Sequence, residues 1–558
     1  MPVDKTRLIY LPLGGAGEIG MNMYVYGFGL PDQERFILVD VGVTFGDMES
    51  SPGIDLIMAD PDWISARSDR LEAIFITHAH EDHVGAIGIL WPRLKAKVYA
   101  RRFTAAVAQE KMDRAGHDVM EVRQTNAWPH MVEAGPFRVG FVPISHSIPE
   151  ASALLIETPA GRILHTGDFK ADPTPVVGEP FHPETLKSIG DRGIRALVCD
   201  STNVFSSEPG RSEAILPEAI RNLLREAPGR VVATTFASNV ARLKTLAEAG
   251  RAAGRQIVIL GRAMQTMLRI AEATEVLKGF PPIVDASDAA DIPRENLLII
   301  ATGSQGERRA ATAQLAAGKY LGIELSAGDL VLFSSKTIPG NEVAVARVLN
   351  QFSRRGVDTI DDSSGRFHVS GHPNQPDLIA MHDFIRADIV VPMHGEHRHL
   401  SAHAKLVRRR GLTSAIVPNG TIIDLSDSEP KVIGEIETGR LYRDGAEVIG
   451  ARDGIVRERL RIAMRGIVIV SVIVDERGQL LGGVWVEALG LPDDPRLHNG
   501  LEGALEDEIE AALRRSKPSV LDDDGAMEDL IQRTSMRVCS QAIDKKPFCK
   551  VMISRLAE

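Results

Sequence analysis

A chain of 558 residues is too long for one hydrophobic core, so about three folding units are expected, and its 44% hydrophobic and 25% charged residues describe an ordinary soluble globular protein. The net charge of −11 argues against wholesale coating of nucleic acid, although clusters such as Arg101-Arg102, Arg308-Arg309 and Arg408-Arg409-Arg410 can line a channel on an acidic protein. Three cysteines without paired or metal-type spacing fit a reducing, cytoplasmic setting; Met1 to Lys5 lack a signal-peptide layout, and the longest apolar run, Gly466 to Val474, is too short to span a bilayer, so no membrane role is indicated.

The first motif is a decoy. Gly15-Ala16-Gly17-Glu18-Ile19-Gly20 matches the dinucleotide fingerprint after the apolar run Leu8 to Leu11, but Met21 to Gly27 is β-rich and lacks the helical period which that fingerprint requires. A β-meander is predicted, with Phe36 to Asp40 as a strand ending in a carboxylate. The organising stretch follows the strand-like Leu71 to Thr77. His78-Ala79-His80-Glu81-Asp82-His83 puts four metal-type ligands on one loop. His78 and His80 can serve one ion while Asp82 and His83 serve a second, and imidazoles with carboxylates suit zinc, or less exclusively manganese.

Further candidates also stand at strand ends: His146 after Phe137 to Ile144, Asp168 after Gly161 to Gly167, and Asp200 after Arg195 to Cys199. Each is weak alone, but ligand-bearing loops gathered at one sheet edge are how such folds assemble a site. From about Ser206 strands and helices alternate, which predicts an α/β unit with a parallel sheet. Metal-type residues return in Phe367 to His372 and at His394, after the strand-like Ala387 to Met393. One domain interrupted by an inserted one is the economical explanation. His397, His399 and His403 are expected on the surface of a helix. The expected boundaries are 1–205 and 360–445 for the interrupted domain, 206–359 for the insert, 446–465 for a charged linker, and 466–558 for a small α+β domain serving assembly or substrate guidance.

These motifs carry a resemblance. The His78-to-His83 loop, Asp40, His146, Asp168 and His394 resemble the motifs of the metallo-β-lactamase fold, while Asp200, His372 and His394 resemble those of its nucleic-acid-processing β-CASP branch. Gly14 to Met23, Thr302 to Glu307, Ile338 to Glu342 and Pro392 to Glu396 are similar to stretches of the ribonuclease J family. Ala79 and Pro373 depart from the family wording. The resemblance implies an α/β protein, with a metallo-β-lactamase αββα sandwich interrupted by an inserted α/β β-CASP domain. It implies hydrolysis of single-stranded RNA by 5′-to-3′ exonuclease and endonuclease modes, in messenger decay and ribosomal RNA maturation.

Two divalent ions, Zn2+ before Mn2+, would be held by His78, His80 and His146 and by Asp82, His83 and His394, with Asp168 bridging. Asp82 counts as catalytic through its ion. Asp40 would orient a ligand or the attacking water, and His372, supported by Asp200, would protonate the leaving 3′-oxygen. Ser238, Asn239, His368, Ser370, Gly371 and His372 are expected to bind substrate, as a pocket for a 5′-monophosphate. The alternative is that Ser370 and Gly371 only turn the chain and Ser238 only caps a helix. A homo-oligomer, dimer or tetramer, held by the C-terminal domain is implied as well. Three rival readings stay open: a DNA-directed β-CASP nuclease, a small-molecule metallo-hydrolase of the same superfamily, and a non-enzymatic RNA-binding scaffold.

Overall fold

The computed structural model describes residues 6–338 and 340–556; Met1 to Lys5, read above for a signal peptide, Pro339 of the Ile338-to-Glu342 stretch, and residues 557–558 lie outside the described residues. Two compact units are present, one running to Thr44 and from Ile57 to Arg440, the other comprising Phe45–Leu56 and the chain from Leu441.

Two sheets face each other in the larger unit. Arg7–Gly14, Met23–Gly29, Arg35–Val39 and Leu71–Phe75 are neighbours in an eight-stranded sheet. Phe137–Pro143, Ser152–Thr158, Gly161–His165, Ala196–Asp200 and Ile389–Met393 are neighbours in a seven-stranded one. Tyr26, Ile37 and Phe75 from the first sheet join Phe141, Ile156 and Val391 from the second in a single apolar cluster. The glycine fingerprint makes no helix: Ala16–Gly17 pairs with Gly395–Glu396, and the next element is the strand Met23–Gly29.

Between the two passages through this core lies a six-stranded, all-parallel sheet that includes Val231–Thr234, Leu297–Ala301 and Leu330–Phe333. Every residue of those three strands is buried, as strands covered by helices on both faces require. The chain then re-enters the sheet it left. Ile389–Met393 pairs in parallel with Ala196–Asp200, Asp200 opposite Met393.

In the smaller unit Ile467–Val474 lies between Trp485–Leu489 and Phe548–Arg555. Its alternate residues Val468, Val470, Val472 and Val474 are buried in a cluster with Leu505 and Ile509 of helix Gly500–Arg514 and Ile531 of helix Asp524–Ile543. The stretch 446–465, expected as a linker, is structured: Glu447–Gly450 is a strand and Ile455–Arg465 a helix without a buried residue. Its charged residues are good helix formers, and Gly454 and Gly466, both at positive φ, bound it.

Candidate active site

Parallel pairing explains why remote residues meet. Val39 is opposite Phe75, so Asp40 and the loop Ile76 to His83 leave adjacent strands on the same side. Likewise His165 is opposite Val198 and Asp200 opposite Met393, so the loops carrying Asp168, Asp200 and His394 emerge together. Asp40 (φ 61°) and His394 (φ 50°) hold left-handed backbone conformations that non-glycine residues rarely adopt, a strain found where side chains are aimed for function.

At the centre is Asp168. Its Oδ2 is 3.8 Å from the Nε2 of both His78 and His146, 3.3 Å from His83 Nε2 and 3.4 Å from His394 Nε2. His80 Nδ1 lies 3.1 Å from His78 Nε2 and 3.0 Å from His146 Nε2. Asp82 Oδ2 lies 3.6 Å from His83 Nε2 and 3.8 Å from His394 Nε2. Two groups, His78-His80-His146-Asp168 and Asp82-His83-Asp168-His394, therefore offer ligand atoms within 4.8 Å of one another and share Asp168.

The donor set fits divalent ions. Asp168 Oδ1 is buried without a hydrogen-bond partner. Several histidines are fixed by a contact at the ring nitrogen turned away from the cluster: His83 Nδ1 to Asp40 at 2.8 Å, His394 Nδ1 to Asn22 Oδ1 at 2.8 Å, His146 Nδ1 to Gly371 O at 2.6 Å, and His78 Nδ1 to Thr77 Oγ1 at 3.0 Å. Such anchoring of the far nitrogen is the signature of imidazoles set to ligate. Burial and neighbouring imidazoles push His78 and His146 well below the ordinary histidine range, and burial takes His80 to about 4, so all three are neutral, the ligating form. Burial opposes charge on His83 as well, but Asp168, Asp82 and Asp40 outweigh it and raise that ring. Burial likewise opposes ionisation of Asp168, yet His394 and His83 hold it far below the usual carboxylate range.

His372 stands beside the cluster, its Nδ1 2.8 Å from Asp200 Oδ2. Burial opposes its charge, but Asp200, and then Asp168, lift it to about 9. Asp200 is fully buried and accepts from Thr202 N. Next to His372 opens a cavity of about 360 Å³, its wall including Lys170, Asn203, Arg211, Lys336, His368 and Ser370. Ser370 Oγ accepts from His372 N and from Asn203 Nδ2, which holds the loop. Gly371 packs against His146 and Ser147, where a Cβ would come within 3.0 Å of both side chains.

Ser238 and Asn239 are not on the wall of this cavity, and Asn239 Oδ1 is occupied in capping helix Val240–Ala252, accepting from Arg242 N. His399 and His403 are buried, not surface residues; only His397 of that trio is exposed. Their helix His397–Arg409 turns Leu400, His403, Ala404 and Val407 inward, a spacing visible in the sequence.

Sequence reasoning also passed over Asn22. It is fully buried, accepts from Tyr24 Oη and His394 Nδ1, and donates through Nδ2 to Asp82 O. It thereby ties the first strands of the chain to ligands far along it. A polar residue within a β-rich apolar run was the signal available.

Two facing sheets with a parallel-stranded insert, and a histidine–aspartate cluster at the strand ends, define a metallo-β-lactamase-fold hydrolase with a β-CASP insertion. Comparison with known proteins agrees. Residues 17–205 match the metallo-beta-lactamase superfamily, 228–352 the ribonuclease J beta-CASP domain, 365–418 the Zn-dependent metallo-hydrolase RNA specificity domain, and 454–556 the ribonuclease J C-terminal domain. The chain is 38% identical over 560 residues to ribonuclease J of Sinorhizobium meliloti, covering 99% of this chain and 98% of that one. It is 36% identical to ribonuclease J of Mycolicibacterium smegmatis, with 91% of each chain covered. A crystal structure of a protein of unknown function from Enterococcus faecalis shares the fold at a TM-score of 0.51 and 16% identity, covering 75% of this chain and all of that one. The chain belongs to the ribonuclease J family, and is a metal-dependent ribonuclease. Among the described residues no helix is long and apolar enough to cross a membrane.

Proposed function

We propose that this ribonuclease degrades single-stranded RNA both from the 5′ end and internally, in messenger decay and ribosomal RNA maturation in the cytoplasm, with two zinc ions. One observation carries the reading: Asp168 Oδ2 sits between two ligand groups, with the His372–Asp200 pair and a cation-bearing cavity alongside. His78, His80 and His146 would hold one ion and Asp82, His83 and His394 the other, Asp168 serving both. Bound there, the ions would lower the pKa of a water and offset charge on the scissile phosphate.

The chain's own residues supply the rest. Asp40 keeps His83 in place, and Asn22 does the same for His394. His372, pinned by Asp200 through Nδ1, presents Nε2 as the proton donor to the 3′-oxygen as the phosphorus–oxygen bond breaks. The cations of the cavity, Lys170, Arg211 and Lys336, with Ser370 and His368, form the candidate pocket for a 5′-monophosphate. Each of these three cations is a phosphate-binding group, and a pocket of fixed size disfavours a triphosphate.

A second copy of the chain is the proposed occupant of the outer face of the C-terminal sheet. Ile473, Trp485, Leu489 and Met552 are 45–51% exposed there, and Glu487 and Lys550 flank Ile469 in one row. An exposed face of large apolar side chains, crossed by one charged row, fits an association surface.

The test is one RNA with a 5′-monophosphate, 5′-triphosphate or 5′-hydroxyl, given to the wild type and to Ser370→Ala with and without chelator. The monophosphate should be degraded fastest from its end, Ser370→Ala should narrow that preference, and chelator should stop all cleavage. Equal end-initiated rates on the three RNAs would reject the pocket, and cleavage persisting in chelator would reject the metal mechanism.

A further inference from the structure

On the opposite face of the same strand lies a second cluster of ligating residues. Cys199 on strand Ala196–Asp200, His382 on helix Gln375–Ile385 and His403 on helix His397–Arg409 offer a sulfur and two ring nitrogens within 4.8 Å of one another. None of the three belongs to the groups around Asp168. All are buried, at 0, 2 and 0% exposure respectively. Successive strand residues point to opposite faces, so Cys199 looks away from the catalytic cluster while Asp200 looks into it.

His382 Nε2 and His403 Nε2 are 3.0 Å apart. The same spacing separates the catalytic nitrogens of His80 and His146, and those of His78 and His80 are 3.1 Å apart. The imidazoles of the candidate catalytic cluster and the buried pair thus share one separation.

Hydrogen-bond accounting points the same way. Ser201 Oγ lies 2.9 Å from His403 Nδ1 and 3.3 Å from Cys199 O. With the proton of His403 on Nδ1 toward Ser201, a lone pair on Nε2 is directed at the other imidazole. The far N–H of a ligating histidine is ordinarily tied down in this way. His382 Nδ1 is buried without a hydrogen-bond partner, whether or not Nε2 holds an ion. Burial keeps both rings neutral at physiological pH, taking His382 to about 4 and His403 well below the ordinary histidine range.

We propose that Cys199, His382 and His403 form a structural zinc site separate from the catalytic centre. One thiolate and two imidazoles are zinc ligands, and three from the chain leave one position of the tetrahedron to a small fourth ligand. On binding, the Cys199 thiol releases its proton to solvent and sulfur bonds the ion. The consequence reaches the active site, because Cys199 and Ser201 flank Asp200. Cys199 would be tied to the ion and Ser201 to a ligating ring, so the strand end that aims Asp200 at His372 would be clamped to both helices of the returning chain.

Cobalt distinguishes this site from the catalytic one. The catalytic groups contain no sulfur, and Cys539 and Cys549 lie in the C-terminal unit. Full-length protein loaded with Co2+ should show a sulfur-to-cobalt charge-transfer band in the near ultraviolet that persists in Cys539→Ser and Cys549→Ser and vanishes in Cys199→Ser. Elemental analysis of zinc-loaded protein should give one zinc fewer per chain in Cys199→Ser and in His382→Leu than in the wild type, whatever number the catalytic centre holds. Cobalt-loaded wild type without that band, or zinc content unchanged in both variants, overturns the site while leaving the ribonuclease reading untouched.

Discussion

Arg242 is expected to govern the segment that delivers His372, and Arg242→Met is the perturbation that shows it. The guanidinium is fully buried. It grips Glu213 bidentately, with Nη2 2.9 and 3.0 Å from the two carboxylate oxygens, and its Nη1 donates to Ser334 O at 2.6 Å and to Phe367 O at 3.2 Å. Four segments thus meet on one side chain: the turn at Glu213, the helix of the insert, the end of strand Leu330–Phe333, and the approach to His368. Methionine fills comparable volume but leaves the Glu213 carboxylate, only 1% exposed, with Lys170 Nζ at 3.9 Å as its remaining cation. Stranding one member of a buried pair costs about 3–5 kcal/mol. The unfolding entropy grows with chain length, so for the larger unit each kcal/mol is worth about 1 °C and the thermal midpoint should fall by roughly 3–5 °C, toward the lower end because Lys170 compensates in part. Adding Glu213→Gln to Arg242→Met removes the stranded charge and should raise the midpoint again. Fluorimetric melting of the wild type, both single variants and the double variant gives the cycle, and hydrogen exchange at Phe367 to Gly371 should accelerate most in Arg242→Met. A drop equivalent to less than about 1 kcal/mol in the single variant, or a double variant less stable than Arg242→Met, would refute the reasoning.

Asn22→Ala should lower metal affinity or turnover by about 10- to 100-fold, the usual cost of losing a partner that orients a ligand; metal titration checks it, and unchanged affinity and turnover would remove Asn22 from that role. If His372 protonates the leaving group, His372→Ala should be rescued on RNA carrying a sulfur in place of the scissile 3′-oxygen, since a thiolate needs no proton, whereas equal defects on both substrates would deny the role. With Lys170, Arg211 and Lys336 meeting phosphates, RNA affinity should fall with a log–log salt slope of about −2, and a flat line would exclude phosphate contacts there. Trp485→Arg or Ile473→Glu, both surface changes, should give a smaller species in light scattering, and an unchanged mass would dismiss the C-terminal sheet as the contact.

Legibility followed chemistry more than distance. His78, His80, Asp82 and His83 were readable because rare residue types crowd one loop after a strand, and His146, Asp168 and His394 because each ends an apolar run. The insert could be read from continuous apolar strands such as Leu297–Ala301, since parallel strands covered on both faces leave no alternation. Asn22 and Arg242 were not legible: both are polar residues that earn burial through partners hundreds or tens of residues away, and no local period encodes a partner. The charged helix Ile455–Arg465 read as a linker because arginines and Glu458 crowd it, although Val456, Leu460, Ala463 and Met464 keep a helical spacing; it buries none of them fully.

The same logic shows why the two passages through the core are mutually dependent. His146 comes from the first passage, yet its Nδ1 is anchored on Gly371 O of the second. His394 comes from the second, yet its Nδ1 is anchored on Asn22 of the first. His372 is supplied after the insert and held by Asp200 before it. Each passage therefore lacks an orienting partner until the other is in place, and the ligand geometry is complete only when the insert has folded and returned the chain to its sheet. A catalytic centre distributed in this way cannot be assembled by the first passage alone, although that passage carries the whole His78-to-His83 loop.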